Sequence, residues 1–135
     1  MSTYRTLNHS KFLIKFHVIF VCKYRRKLLI PYGEDMKSIM LDIADKSDFD
    51  ICEIEVDEDH IHLLIESVPK LSPLQIVRRL KQTSTRSIWK LYPELSDFFS
   101  TSKKFFWSGS YFCASISEGI DTETITNYVR NQGKS

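Results

Sequence analysis

The spacing of apolar and polar residues along the chain predicts four strands and three helices. The segment FLIKFHVIFVCKYRR is dense in β-branched and aromatic residues, which is typical of a long buried first strand. Pro31 to Gly33 break this pattern. In EDMKSIMLDIADKS the apolar residues then recur at helical spacing, so a first helix is expected there.

A β-hairpin is predicted in FDICEIEVDEDHIHLLIES, whose residues alternate on both sides of a charged turn at 57–59. Successive side chains of a strand point to opposite faces of a sheet. In the second arm, the apolar residues at 61, 63 and 65 therefore share one face, and His60 and His62 share the other.

The remaining elements complete an α+β fold. Ser72 as N-cap and Pro73 at the first helical position open a long second helix. A last strand is predicted in KKFFWSGSYFCASIS, and DTETITNYVRNQ is typical of an amphipathic C-terminal helix. The order β-α-β-β-α-β is that of a ferredoxin-like antiparallel sheet with helices on one face. We expect one domain, 1–135, with a core of about 11–116 and a C-terminal helix of about 121–132, and with the two histidines on the free face.

Composition and cysteine usage set limits on the environment of the protein. A chain of 135 residues with ordinary apolar and charged fractions fits one globular domain. Cys22, Cys52 and Cys113 are odd in number and stand in apolar runs, which favours buried thiols in a reducing compartment over a disulfide framework. Without a secretion signal or a long apolar stretch, we expect a cytoplasmic protein that does not span a membrane.

Charge is segregated along the chain although the net charge is only +2. Residues 34–66 are mostly acidic, whereas 70–104 are mostly basic, and a second basic cluster follows the first strand. Segregated positive charge beside aromatic residues favours a nucleic-acid partner, with a solvated helix face as the alternative. The candidate DNA-binding residues are Lys23, Tyr24, Arg25, Arg26, Arg78, Arg79, Lys81 and Arg86.

Two short patterns carry candidate chemistry. Imidazoles two residues apart on one strand lie within reach of a single metal ion, although such a pair is more often two surface histidines. On the last helix, Tyr128 and Gln132 lie on the same stripe as Ile125 and Val129, so they could equally serve only packing.

Together, HIHLLI and NYVRNQ resemble the one-tyrosine HUH (His-hydrophobe-His) transposases of the insertion-sequence 200/605 group. YRR after the first strand and FWSGSYFCAS before the last helix extend the resemblance from about Lys11 to Gln132. One departure is SISEGIDTET, which is about one residue longer than the hinge usual in that family.

The resemblance implies a transposase that binds hairpins in single-stranded DNA and cuts and rejoins strands. It implies that Tyr128 is the nucleophile of a 5′-phosphotyrosine intermediate, and that His60, His62 and Gln132 hold a divalent ion, Mg²⁺ or Mn²⁺. It also implies a homodimer in which each tyrosine helix completes the partner's active site.

Two other interpretations remain open from the residues. One is a related HUH nicking enzyme with a different role, and the other is a ferredoxin-like nucleic-acid-binding module without catalysis. If DNA binds, Tyr24, Phe106 and Trp107 are candidates for stacking on unpaired bases. His17, on the first strand, is a candidate for contact with DNA or with a metal ligand, or for a purely structural role.

Overall fold

A four-stranded antiparallel sheet lies at the centre of the computed structural model, which describes residues 5–7, 10–12, 14–98, 106–116 and 129–130. Its strands run in the spatial order β4-β5-β3-β6. A separate pair of short antiparallel strands, β1 and β2, precedes it. In chain order the elements are β1 Arg5–Leu7, β2 Ser10–Phe12, β3 Ile14–Val21, α1 Leu29–Asp45, β4 Asp50–Val56, β5 His60–Ser67, α2 Pro73–Leu91, α3 Pro93–Phe98 and β6 Phe112–Ser115.

The hydrophobic core lies between one face of this sheet and the helices α1 and α2. On β3 and β5 the paired residues Val18 and Leu63, with their neighbours two positions away, are buried and pack in one cluster with Met40 of α1 and Leu80 of α2. Burial of large aliphatic side chains is the main stabilising contribution in a domain of this size. The predicted mixed α+β fold with a four-stranded antiparallel sheet is confirmed.

The first helix begins earlier than the sequence pattern predicts. Pro31 is the third residue of α1, where its missing N–H has no partner within the helix, so proline is tolerated there instead of breaking the chain. Gly33 is buried, and a Cβ at this position would lie 3.0 Å from Cγ1 of Val56. The absence of a side chain therefore lets α1 approach β4 closely.

The second helix begins as predicted, with a complete capping box. The Ser72 hydroxyl accepts from the backbone N–H of Gln75, whose side chain accepts from the N–H of Ser72. Helical spacing predicts a buried stripe of Leu74, Val77, Leu80, Ile88 and Leu91. This prediction is partly wrong, because Leu74 and Leu91 are exposed. The buried residues of α2 are Ile76, Val77, Leu80, Ser84 and Ile88.

The last strand is shorter than predicted, since regular pairing covers only β6, opposite residues 16–19 of β3. Before it, Trp107 forms an isolated antiparallel bridge with Cys22, and the Ser108 N–H donates to the Val21 carbonyl at 2.7 Å. Ser108 and Gly109, where the sequence favours a turn or bulge, thus separate two pieces of extended chain that both pair with residues 16–22.

Two expectations about the environment can be compared with the structure. All three cysteines are free, but only Cys22 is buried, while Cys113 is half-buried and Cys52 is exposed, so the prediction of three buried thiols is wrong. Within the described part of the chain, no helix combines the length and the apolar character needed to cross a bilayer.

Only part of the predicted C-terminal helix can be compared. Val129 and Arg130 are helical, whereas Tyr128 and Gln132 lie outside the described residues.

Candidate metal centre and nucleic-acid interface

His60 and His62 project from the same face of β5, opposite to the face that packs against the helices. Burial alternates strictly along the strand, with both histidines half-buried and Ile61 between them fully buried. His62 is paired with Ile19 of β3 and with Glu55 of β4. The expectation that this face is free is partly wrong, because Ile19 and its neighbour on the same face, Val21, are fully buried.

The ring of His60 is oriented by a carboxylate. Its Nδ1 lies 3.0 Å from Oδ1 of Asp59, and Oδ2 of Asp59 accepts from Nε of Arg25 at 3.0 Å. Burial alone would raise the pKa of Asp59, but the hydrogen bonds from His60 and Arg25 and the charge of Arg25 outweigh it and lower the pKa. Since an ionised carboxylate can only accept, Nδ1 of His60 donates in this hydrogen bond, and Nε2 is the ring nitrogen that Asp59 does not engage.

The ring of His62 contacts a third histidine on the neighbouring strand. Nδ1 of His17 lies 2.7 Å from Nε2 of His62, and the two ring centroids are 4.9 Å apart. Burial, followed by the proximity of His17, lowers the pKa of His62. His62 is therefore neutral at physiological pH, which is the form of imidazole that binds metals.

Two imidazoles on one sheet face, one of them oriented by a carboxylate, fit the protein's share of a divalent-metal site. Among the described residues, histidine, cysteine and acidic side chains form no group of three that could hold an ion. A further ligand such as Gln132, which is an amide outside the described residues, is compatible with that result. Mn²⁺ suits imidazole, and Mg²⁺ would rely more on oxygen ligands and water.

A short 3-10 turn, Lys23–Arg25, follows β3 next to this site and carries part of the basic cluster that follows the first strand. Tyr24 is 62% exposed, with Nζ of Lys23 5.2 Å and the guanidinium carbon of Arg26 5.7 Å from its ring centroid. An exposed aromatic ring between two cations is a suitable surface for an unpaired base and its phosphates. The side chain of Arg25 is paired with Asp59, the residue that orients His60.

The basic residues of α2 are divided between two sides of the helix. Arg78, Lys81 and Arg86 line a groove of about 410 Å³ between α2 and residues 106–109. Arg79 lies elsewhere, and its guanidinium donates to the Ser47 hydroxyl at 2.6 Å, just beyond the C-terminal end of α1.

Within the groove, Lys81 is half-buried, and its ammonium group donates to the Ser108 carbonyl at 2.7 Å. Burial and, to a lesser extent, the charge of Lys23 lower the pKa of Lys81. The aromatic residues of the groove wall, Phe106 and Trp107, are 0% and 3% exposed, so the prediction that their faces stack on bases is wrong. They belong to the core, and Trp107 donates its indole N–H to Ser84.

Comparison with known proteins assigns the family. The family model described as "Transposase IS200 like" matches residues 10–132. The chain belongs to this family. It is 30% identical over 135 residues to the transposase of insertion sequence element IS200 from Salmonella typhimurium, covering 98% of the chain and 85% of that protein. It is 29% identical over 120 residues to the ISDra2 transposase TnpA of Deinococcus radiodurans, covering 88% and 84%.

Solved structures agree with this assignment. A crystal structure of a protein described as a transposase from Deinococcus radiodurans R1 matches with a TM-score of 0.84 and 26% identity, over 95% of the chain and 97% of that protein. A REP-associated tyrosine transposase bound to a REP hairpin has the same fold, with a TM-score of 0.56 and 17% identity over 96% and 68%. The protein is thus a DNA-binding transposase, a DNA strand-transfer enzyme, of the IS200/605 group.

The sequence patterns identified most of the side chains at this site but not the way they are connected. The structure brings His60 and His62 together with His17 and places Asp59 and Arg25 beside His60. The sequence pattern assigns Asp59 only to a charged turn. Its position immediately before the first histidine is the one local signal of its role, because a carboxylate is the usual partner of a metal-binding imidazole.

Proposed function

We propose that this transposase binds hairpins in single-stranded DNA and cleaves and rejoins strands through a 5′-phosphotyrosine on Tyr128. The observation that carries the proposal is the pair His60 and His62, which project from one face of β5 in a chain of the IS200-like family, with the His60 ring held by Asp59. Gln132 would be the third protein ligand. The order of strands and helices supports a ferredoxin-like description of the fold.

The metal would be held by His60, His62 and Gln132, all of which are neutral ligands. When bound, a divalent ion polarises the scissile phosphate and neutralises the charge that develops there. His60 and His62 would hold the ion at one face of β5, while Asp59 keeps the His60 ring in one orientation. Neutral ligands leave the positive charge of the ion available to the phosphate.

Tyr128 would be the nucleophile. An unperturbed phenol has a pKa of about 10, so its proton must leave as the oxygen attacks phosphorus. The new bond joins the tyrosine oxygen to phosphorus, and the bond from phosphorus to the 3′ oxygen breaks. The leaving 3′ oxygen takes up a proton, so the net proton transfer is from the tyrosine to the free 3′-hydroxyl of the other DNA fragment. Attack of a 3′-hydroxyl on the phosphotyrosine reverses these steps, so rejoining needs no ATP.

DNA would be bound by the turn with its exposed Tyr24 and by the groove beside α2. Arg78 and Arg86 are exposed in that groove, where they can neutralise phosphates. The REP-associated tyrosine transposase that shares the fold was solved with a REP hairpin, and a hairpin is the substrate that we propose here.

We also propose a homodimer whose active sites combine His60 and His62 of one protomer with Tyr128 and Gln132 of the other. The structure contains one chain, and in it Arg130 contacts Arg25 of the same chain. Mixed dimers distinguish the two arrangements. One protomer would carry His60→Ala and His62→Ala, and the other Tyr128→Phe and Gln132→Ala. Cleavage by this mixture requires sites shared between protomers, whereas an inactive mixed dimer contradicts that arrangement.

The experiment that tests the proposed function uses labelled oligonucleotides from the DNA flanking the gene, with Mg²⁺ or Mn²⁺, analysed on denaturing gels. The wild type should yield a cleaved strand and a covalent protein–DNA product only when the metal is present. Tyr128→Phe should lose both and retain hairpin binding, because the ring remains. Tyr111→Phe is the matched control and should behave as the wild type.

Other outcomes of the same assay would contradict the proposal. Hairpin binding without any cleavage by the wild type would instead support a nucleic-acid-binding module. A covalent product formed by Tyr128→Phe at the wild-type rate would show that another residue is the nucleophile. Loss of the thermal unfolding transition in His60→Ala or His62→Ala would assign the histidines a structural role.

A further inference from the structure

Arg25 connects two parts of the chain that are far apart in sequence. Its Nε donates to Oδ2 of Asp59 at 3.0 Å, and its Nη1 donates to the backbone carbonyl of Arg130 at 3.1 Å. The other carboxylate oxygen of Asp59 accepts from Nδ1 of His60 at 3.0 Å. An unbroken series of hydrogen bonds therefore runs from the C-terminal segment to the ring of His60.

The position of Arg130 makes this contact relevant to the proposed chemistry. It lies two residues after Tyr128 and two residues before Gln132, and Val129 and Arg130 are helical. A hydrogen bond to its carbonyl holds the backbone midway between the proposed nucleophile and the proposed third metal ligand. The same guanidinium holds the carboxylate that orients His60.

The backbone around Arg25 is held in an unusual conformation. Tyr24 and Arg25 have φ angles of 59° and 52°, in the left-handed region that is unfavourable for residues with a Cβ. Backbone hydrogen bonds fix this turn, because the Arg25 N–H donates to the Cys22 carbonyl and the Cys22 N–H donates to the Asp59 carbonyl, each at 2.8 Å. Such conformations persist where the surroundings determine them, often at functional sites.

The ion pair of Arg25 with Asp59 is more buried than that of Lys27 with Glu58 in the same basic cluster. The Arg25 side chain is 32% exposed, compared with 67% for Lys27, and Asp59 is only 14% exposed. A guanidinium presents its donors in a rigid fork, so one arginine can bind a carboxylate and a carbonyl at a defined angle. A lysine ammonium is a single point of charge and cannot reproduce both contacts in that geometry.

We propose that Arg25 and Asp59 are positioning residues which couple the orientation of His60 to the placement of the C-terminal segment that carries Tyr128 and Gln132. This inference rests on the proposed function for the roles of His60, Tyr128 and Gln132. It concerns the segment docked on its own protomer, as in this structure, and does not depend on whether sites are shared between protomers. Asp59 fixes the His60 ring through Nδ1, and Nε2 is the nitrogen that would bind the metal. Arg25 is bonded both to Asp59 and to the Arg130 carbonyl. The orientation of the His60 ring and the docking of the segment around Arg130 therefore depend on each other.

The test measures both ends of the link without DNA and without a cleavage assay. Mn²⁺ binding is measured by electron paramagnetic resonance, and docking of the C-terminal segment is measured by hydrogen exchange of peptides that contain Arg130. Asp59→Ala removes the orienting carboxylate and should weaken Mn²⁺ binding on the order of 10- to 100-fold. Although Asp59 does not contact Arg130, its loss should also speed exchange near Arg130, because Arg25 loses its anchor.

The conservative change Arg25→Lys keeps the charge beside Asp59 but loses the second donor. It should speed exchange near Arg130 by roughly tenfold, with a smaller effect on Mn²⁺ binding than Asp59→Ala. Arg79→Lys is the matched control, an identical change in a guanidinium that is bonded to Ser47 near the end of α1, and should leave both measurements at the wild-type values. Asp59→Asn provides a second variant at that position if Asp59→Ala does not fold.

The outcomes separate failure of the link from failure of the proposed function. If the wild type binds Mn²⁺ but Asp59→Ala leaves exchange near Arg130 unchanged, the coupling does not exist and the metal site stands. If Arg25→Lys speeds exchange near Arg130 no more than Arg79→Lys does, the coupling likewise does not exist. If the wild type binds no Mn²⁺ and Asp59→Ala leaves exchange near Arg130 unchanged, both the proposed metal site and the coupling are wrong.

Discussion

Removing two arginines from the groove beside α2 should change how strongly DNA binding depends on salt. Arg78 and Arg86 are exposed in the groove lined by α2 and residues 106–109. Arg79 is an equally charged neighbour on the same helix, but its guanidinium is held near the end of α1 by Ser47. The comparison is therefore between Arg78→Ala with Arg86→Ala and the single control Arg79→Ala.

The expected size of the effect follows from the number of phosphate contacts. Each contact with a single strand contributes about 0.7 to the slope of log affinity against log salt concentration, so the loss of two should lower the slope by about 1.4. Between 50 and 200 mM salt, the wild type should then lose about sevenfold more affinity than the double variant. Lys81 is left in place because its ammonium group is already bonded to the Ser108 carbonyl.

Fluorescence anisotropy of a labelled hairpin, titrated at four or more salt concentrations, measures these slopes. The double variant should bind more weakly at low salt and show the flatter dependence, while Arg79→Ala should keep the wild-type slope. Thermal unfolding of all three proteins provides the control for folding. Equal slopes for the double variant and the wild type would show that Arg78 and Arg86 are solvated and do not contact DNA phosphates.

Three further predictions concern stability and thiol chemistry. Ser84→Ala should lower the free energy of unfolding by about 1–3 kcal/mol, because the buried indole N–H of Trp107 loses its acceptor; unchanged urea denaturation would contradict this. Ser72→Ala removes the N-cap of α2 and should cost about 1 kcal/mol in the same assay, whereas no loss would show that the cap does not contribute. In native protein a thiol reagent should modify Cys52 first and Cys22 only after unfolding, because Cys22 is buried with its pKa raised to about 12. Rapid labelling of Cys22 would refute that order.

The features that were predicted correctly depend on residues close together in the sequence. The hairpin around residues 57–59 follows from period-two alternation, and the start of α2 follows from Ser72 and Pro73. The start of α1 was missed because Pro31 reads as a break, although a proline in the first turn of a helix gives up no hydrogen bond.

Other features of the fold depend on contacts between distant segments, which periodicity does not show. Ser84 is buried because it accepts a hydrogen bond from Trp107, which is distant in sequence. Leu74, on the same helix, is exposed although it is apolar. At the site, the side-chain types and their common strand face were predictable. The pairing of Arg25 with Asp59 joins residues 34 positions apart, and that of His17 with His62 joins residues 45 apart, so both required the structure.

The central claim is that Tyr128 forms the covalent bond to DNA. The most direct test is to trap the product with a hairpin substrate and a divalent metal, digest it with trypsin and nuclease, and locate the nucleotide-bearing residue by tandem mass spectrometry. We expect a 5′-phosphate-linked nucleotide on Tyr128 and none on the exposed Tyr24. When the metal is omitted, no residue should carry a nucleotide. A nucleotide on any other residue, or cleavage that leaves the protein unmodified, would contradict the claim.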